Sequence, residues 1–271
     1  MKKISLHSVP RSGSTWLGSI LDSSPNVAYR FQPLFSFGHK SQLHPESNLK
    51  EIEHFFNDIY KTKDEFVLQK DSYKKDLIPK FEKDEVTHIC YKEVRYNHII
   101  QNLLEQSREL KVIGIVRSPF SVVNSWLKAP KEFKKELGWK IEEEWKSAPK
   151  KNNHKPEEFN GYNKWKEVCF IFLKLKEKYP KQFCLVNYDD LIKSTKSEVK
   201  RIFEFCRLDF TEQTESFIKQ STAISNKDAY SVFKQKKDDL AWKSQLPGFI
   251  EEEIKNDPEF LQLNKTFQWT L

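Results

Sequence analysis

The sequence predicts an α/β fold: a central parallel sheet flanked by helices, in three P-loop-like layers. Three observations carry this. Short apolar runs alternate with amphipathic helical patterns along most of the chain. Val112-Ile113-Gly114-Ile115-Val116 is uniformly apolar and short, as a parallel strand buried on both faces should be. The first run passes through a small-residue turn, Arg11-Ser12-Gly13-Ser14-Thr15, directly into a helical pattern.

Residues 3–9 read as the first strand, closed by Pro10. Trp16, Leu17, Ile20 and Leu21 recur at helical spacing, and Ser23-Ser24-Pro25 ends that helix. Val27-Ala28-Tyr29 reads as a second short strand. Helices are expected near 48–61 and 72–83. His88–Val94 is a third strand, and a helix starts at Ile99. The apolar run 112–116 is the fourth strand, with a helix beginning between Ser121 and Leu127. Residues 128–164 break the alternation; they are lysine-rich, carry Trp139, Trp145 and Tyr162, and read as an inserted helix with a loop on the acceptor side. Trp165–Tyr179 is an amphipathic helix, Phe183–Tyr188 the last strand, and 195–206 a further helix. No internal repeat is found, and 271 residues suit one domain spanning 1–271.

Aromatic residues make up 14% of the chain, too many for disorder, and 7 Gly with 12 Pro excludes collagen-like and low-complexity readings. A net charge of +7 favours an anionic partner without choosing among nucleotide, acidic glycan, nucleic acid or membrane surface. No stretch approaches the ~20 apolar residues of a membrane span. The run after Met1-Lys2-Lys3 is shorter than a signal core, so a cytoplasmic protein is expected. The four cysteines, Cys90, Cys169, Cys184 and Cys206, are widely spaced, which points to buried free thiols rather than a metal site. Asp and Glu form no metal-like cluster, and no metal is expected.

Two segments carry chemistry. At Pro10–Trp16 a strand turns through Gly13 into a helix, so that backbone N–H groups and the helix N-terminus face one point, as a phosphate requires. Ser12, Ser14 and Thr15 add hydroxyls, and Arg11 adds a fixed charge. The GxxxxGK(S/T) pattern of nucleotide triphosphatases is absent. An ordinary strand-to-helix turn fits the same residues. At the second segment Arg117 follows the fourth strand, facing the ligand side of an α/β sheet, with Ser125 two helical turns on. A surface arginine and a helical serine fit that pattern too.

Taken together and in order, the two segments resemble the sulfotransferases that use 3′-phosphoadenosine 5′-phosphosulfate (PAPS). In that family a Pro-Lys/Arg-Ser/Thr-Gly-Ser/Thr-Ser/Thr loop holds the 5′-phosphosulfate, and Pro10-Arg11-Ser12-Gly13-Ser14-Thr15 matches it. A later Arg with a Ser eight residues on holds the 3′-phosphate, as Arg117 and Ser125 would. The resemblance implies adenine contacts from Trp16 and from Tyr188 of Tyr188-Asp189-Asp190-Leu191. It also implies, more loosely because a glycine is missing, 3′-phosphate contacts from Phe233, Lys234 and Lys236 ahead of Trp242-Lys243. Arg11 in place of Lys, and Lys92-Glu93-Val94-Arg95, are similar to the carbohydrate-modifying branch. That implies transfer to a hydroxyl of a saccharide or glycolipid, with Gln32, Pro33 and Arg95 on the acceptor side.

One departure matters. The branch commonly has Tyr-Glu-Pro after the second strand, with Glu as base; here it is Phe31-Gln32-Pro33, and an amide cannot take a proton. His98, just beyond the third strand, is then the leading base, because imidazole titrates near neutrality, and Glu93 is second. Arg11 is expected to act on charge developing in the transition state. His7 suits a core or sheet-edge role. Lysines and tryptophans of 128–156 suit either an acceptor groove or a solvated face over an aromatic core. Two other functions stay open on residues alone: a small-molecule kinase with a degenerate phosphate loop, and a basic nucleic-acid-binding protein supported only by charge.

Overall fold

Five apolar runs become five strands: β1 (Lys2–His7), β2 (Val27–Phe31), β3 (His88–Glu93), β4 (Lys111–Val116) and β5 (Phe183–Asn187). The computed structural model describes residues 1–224, 226, 228, 230–233 and 238–271. All strand pairs are parallel, in the order β2-β3-β1-β4-β5. Side chains alternate between two cores. Ile113 and Ile115 of β4 face one, and Val112 and Val116 the other.

Right-handed crossovers decide which helices cover which face. The chain leaves β1 through α1 (Ser14–Asp22) and moves toward the β2 edge, so α1 packs on the Ile113 face. It returns through α2 (Leu49–Lys61), the short α3 (Lys70–Lys74) and α4 (Ile100–Gln106); α2 and α4 lie on the opposite face. From β4 it continues through α5 (Pro119–Leu127), the short α6 (Ile141–Glu144) and α7 (Pro149–Asn152), and α8 (Tyr162–Lys178). After β5 come α9 (Tyr188–Lys193), α10 (Thr195–Cys206), α11 (Glu212–Ala223), α12 (Gly248–Lys255) and α13 (Pro258–Phe267). β1 thus lies between β3, reached first, and β4, reached later. The crevice between the carboxyl ends of β1 and β4 is the topological switch point, where α/β sheets bind ligands.

Local sequence explains the helix limits. In α2, Ile52, Phe55, Phe56 and Ile59 form the buried face, and Asn48 with Glu51 makes a reciprocal capping box. The helix expected over 72–83 is only the five-residue α3, because Asp76 adopts a left-handed φ of 51° and Pro79 follows. β2 runs two residues past the expected Val27–Tyr29. Arg30 and Phe31 pair with β3, and the Arg30 guanidinium donates to the α2 carbonyls of Ile59 and Tyr60. Tyr188 starts α9 rather than ending β5.

Segment 128–164 contains a 3₁₀ turn, α6 and α7 instead of one helix, and its aromatic residues are core except the half-buried Trp139, which packs against it. Trp145, Tyr162 and Trp165 stack in sequence at centroid distances of 5.7 Å, and Phe133 and Phe159 are buried beside them. The Trp165 indole N–H donates to the Arg117 carbonyl at 3.0 Å. No helix among the described residues is long and apolar enough to cross a membrane, and the four cysteines are buried and free.

Gly114 in β4 shows how tightly the sheet meets α8. A Cβ there would lie 2.6 Å from the Phe183 ring and 2.7 Å from that of Phe172. Gly114→Ala should lower the unfolding free energy by about 1–3 kcal/mol, read as a shifted denaturant midpoint at unchanged slope.

Candidate active site

Residues singled out in the sequence gather at the carboxyl ends of all five strands. Arg11 follows β1, Gln32 follows β2, Glu93 and Arg95 close β3, Arg117 follows β4, and Tyr188 follows β5. Such an edge collects chemistry because each strand delivers its next residue to the same rim.

The loop after β1 is held open by backbone geometry. Arg11 and Gly13 have left-handed φ values of 69° and 86°. Gly13 is the N-cap of α1 and has no side chain to cap it, so the first N–H groups of α1 find no partner within the helix. The Tyr188 ring fills the space where a Gly13 Cβ would stand, at 2.5 Å. The Ser8 hydroxyl donates to Ser14 Oγ at 2.9 Å, whereas Ser12 Oγ is fully buried without a hydrogen-bond partner. Thr15 is half-buried in the first turn of α1. These features make a cradle for an anion.

Arg11 Nε donates to Ser125 Oγ at 3.0 Å, Nη1 approaches Glu132 at 3.5 Å, and the guanidinium lies 5.5 Å from the Tyr230 ring centroid. Arg117 Nη1 donates to the Arg11 carbonyl at 2.9 Å, joining β1 to β4. Its Nε donates to Asp239 Oδ2 at 2.8 Å, and Nη2 makes a second, short bond to Oδ1. The Tyr188 ring lies 4.6 Å from its carbon. Arg11, Arg117, Ser125, Lys128 and Asp239 border a common cavity of about 240 Å³, together with Ser121, Asn124, Ala241, Trp242 and Gln245.

Trp16 is 3% exposed, donates its indole N–H to Ser221, and meets Tyr188 edge-on at 6.3 Å. It therefore sits at the core side of Tyr188. Phe233 packs edge-on against Phe217, and Lys234 and Lys236 lie outside the described residues.

The β2–β3 side forms a second cluster. Gln32, with φ 44°, accepts from Arg95 Nη1 at 3.1 Å through its side-chain oxygen. Arg95 Nε bonds Glu158 at 2.8 Å, and its guanidinium lies 4.0 Å over the exposed Phe35 ring. Pro33 opens a 3₁₀ turn whose Leu34 N–H donates to Glu93 Oε1 at 2.8 Å. Glu93 is fully buried, its Oε2 has no partner, and burial pushes its carboxyl up to about 8. His98 stands apart from these contacts. Its ring stacks between Tyr96 and Phe159, each at 6.1 Å, its Nδ1 is buried without a partner, and burial lowers its pKa below 6.5.

Four charged residues here were not singled out as site residues in the sequence: Lys92, Glu132, Glu158 and Asp239. Lys92 is 3% exposed, its ammonium lies 4.5 Å over the Phe31 ring, and burial lowers its pKa to about 8 against the pull of Glu93 and Glu132. Its place in Lys92-x-Val94-Arg95 was a usable signal. The three acids come from segments far away in sequence and left no local signature. His7 is buried in β1 beneath the rim and kept neutral by burial, in keeping with a core role. No group of His, Cys, Asp and Glu fit to hold a metal occurs among the described residues.

An uncapped helix start at the switch point, with a second arginine following β4, is the arrangement of an anion-binding α/β site. Comparison with known proteins makes this specific. Residues 1–256 match the family model described as "Sulfotransferase domain". The chain belongs to the sulfotransferase family, whose reaction is PAPS-dependent sulfuryl transfer. The sulfotransferase domain of the Synechococcus PCC 7002 olefin synthase is similar in fold, with 17% identity, a TM-score of 0.56, and 99% of this chain and 94% of that one covered. Mouse sulfotransferase SULT7A1, solved with PAP, shows 16% identity and a TM-score of 0.51 over 97% and 88% of the two chains. Retinol dehydratase, solved with androsterone and inactive cofactor PAP, shows 14% identity and a TM-score of 0.55 over 99% and 82%. No curated protein sequence gives a significant match.

The Glu93 environment has a measurable consequence. Its folded pKa of about 8 exceeds the ordinary 4.5, so between these values the folded state binds more protons than the unfolded one and stability falls as pH rises. Glu93→Gln keeps an acceptor for Leu34 N–H and removes the titration. Relative to wild type, the variant should gain stability from pH 5 to pH 8, by at most about 1.4 kcal/mol per pH unit. A pH-independent difference in denaturant unfolding would show that Glu93 is ionised when folded.

Proposed function

We propose that this chain is a cytoplasmic enzyme, one catalytic domain, that sulfates a hydroxyl of a saccharide or glycolipid and releases adenosine 3′,5′-bisphosphate. The observation that carries the donor side is the shared cavity. Arg117 and Ser125, expected at the 3′-phosphate, border it together with Arg11 of the phosphate loop. The buried, unpartnered Ser12 Oγ and the uncapped start of α1 fit the 5′ side. Four free cysteines suit a reducing compartment.

When bound, PAPS supplies the activated sulfuryl group. The residues of this chain do the rest. Ser12, Gly13, Ser14 and Thr15 grip the 5′ phosphate through the loop and the helix start. Tyr188 forms the aromatic side toward adenine with Trp16 packed behind it, and Phe233, Lys234 and Lys236 complete the 3′ side. Arg11 meets charge that grows on the leaving phosphate. On the acceptor side Arg95 holds the Gln32 side-chain oxygen, which leaves the amide N–H₂ to orient a hydroxyl by its lone pairs. Arg95 and Pro33, with segment 128–164 behind them through Glu158, frame that subsite. The Arg95 guanidinium over the exposed Phe35 ring suits a polar, oxygen-rich acceptor with a flat face.

His98 is the proposed base and Glu93 the reserve. The active base is the deprotonated form, so kcat falls on the acid side of its pKa. His98 places that limb below pH 6.5, because burial lowers its pKa, whereas Glu93 places it near pH 8. An acid limb below 6.5 that vanishes in His98→Ala supports His98. A limb near 8 that vanishes in Glu93→Gln transfers the role.

The function is tested by transfer of labelled sulfate from PAPS to a panel of glycans and glycolipids, with phenols as control. Saccharide-bearing acceptors should be labelled, and labelling of phenols alone would overturn the acceptor class. Arg11→Ala should lower kcat more than it weakens PAPS binding, with partial rescue by Lys. Ser125→Ala should weaken adenosine 3′,5′-bisphosphate by about 1.5–3 kcal/mol in calorimetry.

A further inference from the structure

The Arg117 guanidinium is already occupied, and its occupant is a carboxylate of the same chain. Nε and Nη2 form the edge that a guanidinium offers to two oxygens at once, and both donate to Asp239. The remaining Nη1 holds the Arg11 carbonyl. Asp239 is secured on its other side as well, since Ser121 Oγ donates to its carbonyl at 3.0 Å. Both residues are largely enclosed, with side-chain exposures of 19% and 6%. Asp239 is also the acidic member of a cavity lining whose charged residues are otherwise Arg11, Arg117 and Lys128.

A phosphate seeks the same paired donors that a carboxylate does. Two anions cannot share one edge, and bringing them together without a cation between them is strongly unfavourable in a partly desolvated site. Resting on the donor reading above, we propose that Asp239 is an intramolecular competitor for the 3′-phosphate. It neutralises Arg117 in the empty enzyme and must leave when the nucleotide binds. It thereby keeps simple anions off the arginine and loosens the bound nucleotide, so that the bisphosphate product departs more readily. A nucleotide with a 3′-hydroxyl has no group to place there and leaves the pair intact.

The test is calorimetric titration of wild type and Asp239→Asn with adenosine 3′,5′-bisphosphate, adenosine 5′-monophosphate and inorganic phosphate. Asp239→Ser serves if the Asn variant does not fold. Removing the competitor should tighten the bisphosphate at least tenfold, leave the monophosphate unchanged, and give the variant measurable affinity for inorganic phosphate. If the bisphosphate binds equally or more weakly while wild type still prefers it to the monophosphate, Asp239 is a structural partner of Arg117 and the inference is overturned. If wild type shows no preference for the bisphosphate, Arg117 is not a 3′-phosphate site, and the donor reading falls together with the inference.

Discussion

Arg117 ties together parts of the chain that lie far apart in sequence. Its side chain holds the carbonyl of Arg11 after β1 and the carboxylate of Asp239 near the C-terminal region. Its own carbonyl receives the indole N–H of Trp165. This knot can form only because the strand order puts β1 beside β4 and opens the switch-point crevice between them. The loop after β1 and the arginine after β4 are therefore brought together by the topology of the sheet.

The two clusters at the rim are built on different principles. The loop after β1 is shaped by backbone: left-handed residues, an uncapped helix start and a glycine packed under a tyrosine ring. Side-chain substitution reaches these features only indirectly. The β2–β3 cluster uses side chains in series, where Glu158 holds Arg95 and Arg95 holds Gln32. The two acceptors use different guanidinium nitrogens, and the amide at position 32 adds no second negative charge beside Glu158.

Most of the sheet was legible in the sequence because parallel strands buried on both faces must be continuous apolar runs, and 112–116 is one. The helix over 72–83 was misread because periodicity is blind to a left-handed residue at Asp76. The aromatic character of 128–164 was visible, but whether its rings lined a groove or a core depended on the Trp145–Tyr162–Trp165 stack, which no local pattern announces. That Arg11, Arg117 and Ser125 meet at one cavity was legible because the two arginines follow strand ends and the serine stands two helical turns beyond the second. Asp239 was not, since the partner of a charge 122 positions away is chosen by folding and leaves no periodic trace. His98 and Glu93 could be proposed from sequence as titratable groups near β3. Their opposite pKa displacements arise from burial, which spacing does not encode.

The bond from the Trp165 indole to the Arg117 carbonyl links the buried aromatic stack at the end of segment 128–164 to the backbone of an arginine that borders the shared cavity. This divides the segment's freedom to change in evolution or in the laboratory. Its lysine-rich outer turns can be exchanged while the stack stays intact. Repacking Trp145, Tyr162 or Trp165 would instead shift the arginine's main chain at the cavity, even in a variant designed solely to change the surface.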